Sequence, residues 1–286
     1  MKEHHLETTG WSDYELLDSG ENMKLERFGE AILARPETEA LWKKSKPELW
    51  STAHAEFAFA NGKGNWLLNA QPPEAWEMKW NDLTFLARLM SFKHTGVFPE
   101  QAANWEWVAE RAKKLEKPNV LNLFGYTGIA SLAAAKAGAF VTHVDASKQS
   151  LDYAHENAKL SGLAETAIRW IPDDALAFAK REVRRGAKYD GIILDPPAFG
   201  RGTKGEVWKI EEALPELLET LKELLSDKPG SFFLISGYAA GYSPLSFAQA
   251  LASVFEKTDS EFGELRIAEK DSDREVPAGI YVRFVL

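Results

Sequence analysis

The 286-residue chain contains no cysteine. This absence excludes a disulfide framework, a cysteine-ligated metal site and every reaction that needs a thiolate nucleophile. A membrane helix is also missing, because it would need about 18 consecutive apolar residues. The N-terminal residues 1–20 are polar and acidic and have no apolar core of a signal peptide. We therefore expect a soluble, cytoplasmic protein with no membrane partner.

An excess of positive charge is lacking as well. Lys and Arg number 34 against 43 Asp and Glu, which gives a formal net charge of -9. Affinity for nucleic acid depends largely on phosphate neutralisation, so a nucleic-acid substrate would need a local basic patch. The 6 histidines show no metal-ligand spacing, and His143 is one of the isolated ones. We predict no metal site.

Residues 1–92 predict a small β-rich N-terminal domain. Short alternating runs at residues 14–20, 25–36 and 56–68 are separated by Gly, Asn and Pro, which favours a small antiparallel sheet. Six of the 10 tryptophans fall in the first 90 residues, together with 15 acidic and 10 basic side chains. Because that balance is poor for binding phosphates, we interpret the tryptophans as core residues rather than as a base-stacking platform.

Residues 93–286 predict an α/β domain. Apolar strands alternate with helical segments from "NVLNLF" at 119–124 to "GIYVRFVL" at 279–286. This alternation is typical of a Rossmann-like parallel sheet with helices on both faces.

The turns after the first three strands of this domain indicate a nucleoside site. Gly125 and Gly128 allow a tight turn, but the G-x-G-x-x-G fingerprint of dinucleotide sites is absent. Asp145 ends the second strand, where an acid can accept hydrogen bonds from a ribose. Asp173 and Asp174 follow the third strand and either accept from an adenine amino group or cap the next helix. An adenosine site without a pyrophosphate loop predicts S-adenosyl-L-methionine as cofactor rather than NAD.

The stretch "YDGIILDPPAFG" at 189–200 follows the fourth strand of this domain. Methyl transfer from a sulfonium needs an acceptor atom held in line, which requires no nucleophilic side chain. Asp195 and the carbonyls of Pro196 and Pro197 could accept from a substrate amino group, and Phe199 could stack on a planar base. In the alternative interpretation Asp195 caps a turn, the prolines end a strand and Phe199 packs in the core.

A basic segment follows this stretch at residues 200–209. Arg201, Lys204 and Lys209, with Trp208 between them, either contact a phosphate or a substrate acid or belong to a solvated loop. The sequence leaves these two interpretations open.

Four motifs together resemble the class I S-adenosylmethionine-dependent methyltransferases, and within them the large-subunit ribosomal RNA methyltransferases of the 5-methylcytosine and 7-methylguanine type. The motifs are "HTGVFPEQAANW", "LNLFGYTGIASLAAAKAGA", "VTHVDASKQSLDYAHENAKLSGL" and "YDGIILDPPAFG". The resemblance implies a seven-stranded sheet with an antiparallel seventh strand. It also implies the residues that hold the cofactor: Phe98 and Gln101 line its pocket, Asn122, Phe124, Gly125, Thr127 and Gly128 face its methionine part, and Asp145, Ala146 and Ser147 lie on its ribose side.

The function that this resemblance implies is methyl transfer to a base nitrogen, with ribosomal RNA as the partner. Relatives that make 5-methylcytosine attack the base with a cysteine, and the absence of cysteine excludes that mechanism here. The spacing of one residue, Ala198, between the prolines and Phe199 resembles that of the ribosomal RNA methyltransferases. Two alternatives stay open. One is a methyltransferase for a protein or small molecule, which the acidic composition favours, and the other is a non-catalytic S-adenosylmethionine-binding subunit. The sequence does not indicate an oligomeric state.

Overall fold

The computed structural model describes residues 1–8, 11–60, 63–70, 72–90, 92–163, 168–201, 207–238, 241–256 and 259–286. The chain forms two compact units. The large unit comprises Met1–Leu6, Ala103–Leu265 and Ala278–Leu286, and the small unit comprises Glu7–Ala102 and Arg266–Pro277.

This division differs from a single boundary between residues 92 and 93. Lys2 pairs with Glu261 in a parallel bridge, which joins the N-terminus to the large unit. In the small unit, Ser19 Oγ donates a hydrogen bond of 2.7 Å to Glu269. The large unit thus includes the N-terminal residues 1–6, and the small unit includes residues 266–277 from near the C-terminus. Strand pairing and side-chain hydrogen bonds join these segments to parts of the chain that are far away in the sequence.

The strands and helices follow in chain order. The strands are β1 (Lys2–Glu3), β2 (Leu6–Thr8), β3 (Tyr14–Gly20), β4 (Met23–Phe28), β5 (Ala31–Pro36), β6 (Ala55–Ala60), β7 (Lys63–Leu68), β8 (Trp76–Trp80), β9 (Leu83–Ala87), β10 (Asn119–Leu123), β11 (Phe140–Asp145), β12 (Ile168–Pro172), β13 (Gly191–Leu194), β14 (Phe199–Arg201), β15 (Val207–Lys209), β16 (Phe232–Gly237), β17 (Glu261–Ala268) and β18 (Glu275–Val285). The helices are α1 (Ala102–Lys113), α2 (Ile129–Lys136), α3 (Lys148–Leu160), α4 (Ala175–Arg184), α5 (Ile210–Leu224) and α6 (Pro244–Phe255). Within the described ranges, no helix is long and apolar enough to span a membrane.

A central sheet organises the large unit. Its strands lie in the order β17-β18-β16-β13-β10-β11-β12, and the short β1 and β2 pair with β17. Five neighbouring strands of this sheet are parallel, namely β12, β11, β10, β13 and β16. The next strand, β18, runs antiparallel to β16. This arrangement confirms the predicted Rossmann-like sheet with an antiparallel final strand. Every residue of β13 and β16 is buried, as expected for central parallel strands covered on both faces.

Helices cover both faces of this sheet. One core contains Phe178 of α4, Leu217 and Leu221 of α5 and Phe247 of α6. A second core contains Trp107 of α1, and its ring meets Phe232 of β16 edge to face at 5.6 Å. The two cores hold the parallel strands rigidly, so the turns that follow those strands have a firm base.

The small unit is built on a five-stranded sheet in the order β3-β4-β5-β6-β7, with a separate hairpin of β8 and β9. The strands from β3 to β7 fall on the predicted runs, but β5 and β6 pair in parallel, so the sheet is not wholly antiparallel as predicted, and the hairpin was not predicted. Glu26 is fully buried and accepts bonds of 2.7 and 2.8 Å from Arg35 and one of 2.8 Å from Tyr14. Among the tryptophans of this unit, Trp11 and Trp80 are buried, which favours their interpretation as core residues.

Candidate active site

Predicted site residues follow three neighbouring strands of the large unit. β11, β10 and β13 lie side by side and run parallel, so their carboxyl ends share one edge of the sheet. Ligands of open α/β sheets bind at that edge. The structure therefore brings together the turn after β10, Asp145 at the end of β11 and Asp195 after β13.

The turn after β10, residues 124–128, is here called the glycine turn. Phe124 and Tyr126 have φ angles of 56° and 49°, and Gly128 has 87°. The left-handed region costs a residue with a side chain roughly 1–2 kcal/mol. Hydrogen bonds from the Gly125 N–H to the Val144 carbonyl, 3.1 Å, and from the Tyr126 N–H to Asp145 Oδ2, 2.8 Å, hold this shape. Strained backbone held in this way is common at ligand sites.

The glycine turn leads directly into α2. Gly128 caps the helix, and a Cβ added to it would lie 3.0 Å from Ala154 Cβ, so α2 and α3 are closely packed there. The Thr127 side chain is buried, and its carbonyl accepts from Asn157 Nδ2 at 2.9 Å. Both residues therefore fix the turn against α3.

His143 lies directly beneath the glycine turn. A Cβ added to Gly125 would lie 2.3 Å from His143 Cε1, so this ring explains why the position has no side chain. Asn122 Nδ2 donates to Ser131 Oγ at 2.8 Å, and Ser131 Oγ lies 2.9 Å from His143 Nδ1. Burial lowers the pKa of His143 to about 3, so the ring is neutral.

Sequence reasoning missed His143 as a functional residue. Asn122 lies opposite it in the register of β10 and β11, and both side chains contact Ser131. The two polar residues on neighbouring buried strands were the available signal, because buried polar side chains need hydrogen-bond partners. The Asn122 side chain is buried in this network, which gives it a part in fixing the turn.

Asp145 joins the glycine turn to the start of α3. Its Oδ2 accepts from the Tyr126 N–H, and its Oδ1 accepts from the Ser147 N–H, both at 2.8 Å. Burial raises the pKa of Asp145 despite these donors. Ser147 caps α3 and accepts from the Ser150 N–H at 3.2 Å, while Ala146 is half-buried between the two. Each carboxylate oxygen keeps acceptor capacity for a further hydroxyl donor.

Asp173 and Asp174 both make structural contacts. Asp174 is the N-cap of α4 and accepts from the Ala177 N–H at 2.8 Å, as one of the two sequence interpretations required. Asp173 accepts from the Asp174 N–H at 2.9 Å and forms an ion pair with Arg181. A contact of either residue with an adenine ring stays a prediction.

Phe98 and Gln101 belong to the small unit. The Phe98 ring lies 5.2 Å from the His94 ring, and the Gln101 N–H donates to the Phe98 carbonyl at 3.1 Å. Their predicted place in a cofactor pocket stays a prediction.

The residues 195–199 that follow β13 are here called the proline loop. Burial raises the pKa of the Asp195 carboxyl to about 6, and a hydrogen bond from Ser236 of β16 opposes this increase. Pro196 is buried, whereas Pro197 is exposed. An acid with a raised pKa at a ligand-binding edge is a candidate for proton transfer.

The contacts of the proline loop separate the two interpretations of its sequence. The Pro197 carbonyl accepts from Trp208 Nε1 at 2.6 Å, and the Ala198 carbonyl accepts from the Ile210 N–H at 3.1 Å. The Pro197 carbonyl therefore already has one donor within the protein, and acceptance of a second hydrogen bond from a substrate stays a prediction. Phe199 is 57% exposed, which contradicts its packing in the core and leaves the ring accessible for stacking.

A short hairpin of β14 and β15 follows the proline loop. Phe199 pairs with Lys209, and Gly200 pairs with Trp208. Trp208 is buried, so it is not a solvent-facing contact for a phosphate. Lys209 Nζ pairs with Glu212 at 2.7 Å. Lys204 and the side chain of Arg201, predicted as basic contacts, lie outside the described residues.

Comparison with known proteins shows the family of the chain and similar solved structures. A model of the S-adenosylmethionine-dependent methyltransferase family matches residues 36–260. A SAM-dependent methyltransferase from Agrobacterium tumefaciens is 40% identical, with a TM-score of 0.94 over 99% of this chain and 95% of that chain. A protein described as a methyltransferase and crystallised with SAH matches 97% of this chain and 76% of its own with a TM-score of 0.76, and its 19% identity shows the fold alone.

Curated relatives match a smaller part of the chain. The ribosomal RNA large subunit methyltransferase K/L of Shewanella frigidimarina is 36% identical over 144 residues, which are 50% of this chain and 20% of that protein. The ribosomal RNA large subunit methyltransferase I of Aeromonas salmonicida is 34% identical over 129 residues, which are 45% of this chain and 32% of that protein. This chain therefore matches less than half of the length of either relative.

Proposed function

Because the chain belongs to the family of S-adenosylmethionine-dependent methyltransferases, we propose that it methylates a base nitrogen of ribosomal RNA by direct transfer. Two observations support the acceptor. The relatives from Shewanella frigidimarina and Aeromonas salmonicida are named as ribosomal RNA methyltransferases. Phe199 presents an exposed ring four residues after Asp195, and exposed aromatic rings are the common means of holding an unpaired base.

The residues at the carboxyl edge fit the cofactor. Asp145 has a half-buried carboxylate whose oxygens retain lone pairs for the two ribose hydroxyls, beyond the bonds that they already accept from the Tyr126 and Ser147 N–H groups. The glycine turn, fixed from below by His143, would face the methionine part. When bound, the sulfonium supplies an electrophilic methyl carbon. The negative charge of Asp145 also suits a cationic ligand.

The proline loop would hold the acceptor. Stacking on Phe199 would fix the plane of the base, and Asp195 would accept a hydrogen bond from the nitrogen that is methylated. The pKa of Asp195, about 6, leaves the carboxylate mostly ionised at neutral pH and able to take the proton that this nitrogen loses. The observation that carries the proposal is an acid with a raised pKa in the loop after β13, at the same edge of the sheet as Asp145, in a loop that ends with the exposed ring of Phe199.

The direct test is methyl transfer to unmodified large-subunit ribosomal RNA, followed by mass spectrometry of its nucleosides. We expect a methylated nucleoside with the wild-type protein and its loss with Asp195→Asn, which should still bind S-adenosylmethionine. Asp190→Asn is a matched control because Asp190 is buried at the opposite end of β13, where it pairs with Lys228 at 3.0 Å.

The same measurement in cells with and without the gene extends the test. A new nucleoside in the wild type alone supports the proposal. An unchanged nucleoside profile, together with methyl transfer to protein or metabolite fractions, would favour the alternative of a protein or small-molecule acceptor. Equal turnover by the wild type and Asp195→Asn would refute the role of Asp195.

A further inference from the structure

Trp208 has an unusual position for a large ring. It lies in the middle of the short strand β15 and is only 6% exposed, while its neighbour Val207 is 55% exposed. Successive residues of a strand face opposite sides, so the hairpin directs this ring inward and leaves Val207 outside. A buried indole needs an acceptor for its N–H, and the acceptor here is a main-chain carbonyl of the proline loop.

The bond from Trp208 Nε1 to the Pro197 carbonyl is 2.6 Å long. Pro196 and Pro197 have no N–H groups, so the loop cannot be held by donors of its own at these two positions. The Ile210 N–H holds the next carbonyl, that of Ala198, at 3.1 Å. The start of α5 and the indole of β15 thus fix two successive carbonyls of the loop.

The other side of the same indole contacts the glycine turn. Its ring lies 4.9 Å from the Phe124 ring at an interplanar angle of 60°. Phe124 is one of the two non-glycine residues of this turn with a left-handed backbone, with a φ angle of 56°. One side chain therefore contacts both the turn assigned to the cofactor and the loop assigned to the acceptor.

We propose that Trp208 is a positioning residue that sets the proline loop relative to the glycine turn. Its N–H orients the loop through the Pro197 carbonyl, and its ring keeps that loop in register with the turn through Phe124. Asp195 and Phe199 then stand at a fixed distance from the methyl donor. The inference rests on the roles proposed above for the turn and the loop, and it does not depend on RNA being the acceptor.

The test removes the N–H and keeps a ring. Trp208→Phe loses the donor to Pro197, while Trp107→Phe is the matched control. Trp107 is buried to a similar extent, 8% exposed, but it lies in the other core and packs on Phe232. Replacement of Trp208 by benzothienylalanine, which has sulfur in place of the N–H group, tests the same bond with the ring shape preserved if the phenylalanine variant does not fold.

Two readouts need no acceptor. Calorimetry with S-adenosylmethionine should give unchanged affinity in both Trp208 variants, because the ring contact with Phe124 is retained. The Asp195 carboxyl can be titrated by carbon NMR, with its signal assigned by comparison with Asp195→Asn. In the Trp208 variants its pKa should fall from about 6 towards 3.8, because a looser loop exposes the acid to water. Burial raises the pKa of this acid and the Ser236 hydrogen bond lowers it, so the titration measures how deeply the loop buries the acid.

The third readout is turnover on large-subunit ribosomal RNA. A misplacement of about 1 Å costs roughly a hundredfold in rate, so we expect a loss of kcat of that order in the Trp208 variants and none in Trp107→Phe. If Asp195 titrates as in the wild type in both Trp208 variants, the proposal is wrong, and Trp208 is only a core residue. If the wild type does not methylate the RNA, the acceptor proposal fails, and the first two readouts still decide the role of Trp208.

Discussion

Replacement of Gly125 by alanine adds one methyl group at the most crowded point of the glycine turn. The added Cβ would lie 2.3 Å from His143 Cε1 and 2.5 Å from Nδ1. The ring cannot move away freely, because Ser131 Oγ lies 2.9 Å from Nδ1 and the Trp170 ring lies 4.9 Å from the imidazole. Gly125 is not among the residues with a positive φ angle, so the effect is steric rather than conformational. Overpacking of this kind costs about 1–3 kcal/mol.

The assay has two parts. Thermal unfolding should show a lower Tm by roughly 2–4 °C for each kcal/mol, and calorimetry should show weaker binding of S-adenosylmethionine because the turn is displaced. Gly237→Ala is the control for stability. The Cβ added there would lie 3.7 Å from the nearest atoms of the Phe247 ring, which is an ordinary van der Waals distance. Removal of the imidazole provides a further check: in a His143→Ala background the methyl group added at Gly125 should cost much less stability. Unchanged Tm and affinity in Gly125→Ala would refute the argument.

Two further predictions concern the acids. Asp145→Ala should weaken S-adenosylmethionine binding by at least about tenfold, because charged hydrogen bonds contribute about 1.5–3 kcal/mol each; calorimetry against the exposed Asp152→Ala tests this, and equal affinities would remove the ribose assignment. For Asp195, burial raises the pKa to about 6 from 3.8, so the folded state binds more protons than the unfolded state between these values and stability falls as pH rises through them. Asp195→Asn should therefore be more stable than the wild type at pH 8, by up to about 3 kcal/mol in the free energy of unfolding. Its Tm should be higher at that pH, and the difference should disappear near pH 4. A Tm difference that is the same at both pH values would show that the acid is not destabilised in the fold.

The parts of the fold that could be predicted from the sequence are those fixed by local pattern. β13, "GIIL", and β16, "FFLISG", are continuous apolar runs, and such runs between helical segments indicate buried parallel strands. The positions of Asp145 and Asp195 followed, because Asp145 ends the predicted second strand of this domain and Asp195 directly follows its fourth. The exchange of residues 266–277 into the small unit could not be predicted, since it depends on contacts such as Ser19 with Glu269 that span 250 residues.

The two roles at the site that the sequence did not indicate share one physical property. His143 and Trp208 contact main-chain segments rather than a ligand. The His143 ring packs directly against Gly125, and Trp208 donates a hydrogen bond to the Pro197 carbonyl. Sequence motifs indicate where the backbone turns, because glycine permits unusual backbone conformations and proline fixes φ and has no N–H group. They do not indicate which side chain supports each turn. That support depends on strand register, as with Asn122 and His143, or on a hairpin that returns after 11 residues, as with Trp208 and Pro197. Substitutions at these supporting residues should therefore separate the geometry of the site from its chemistry, since they leave every proposed ligand contact in place.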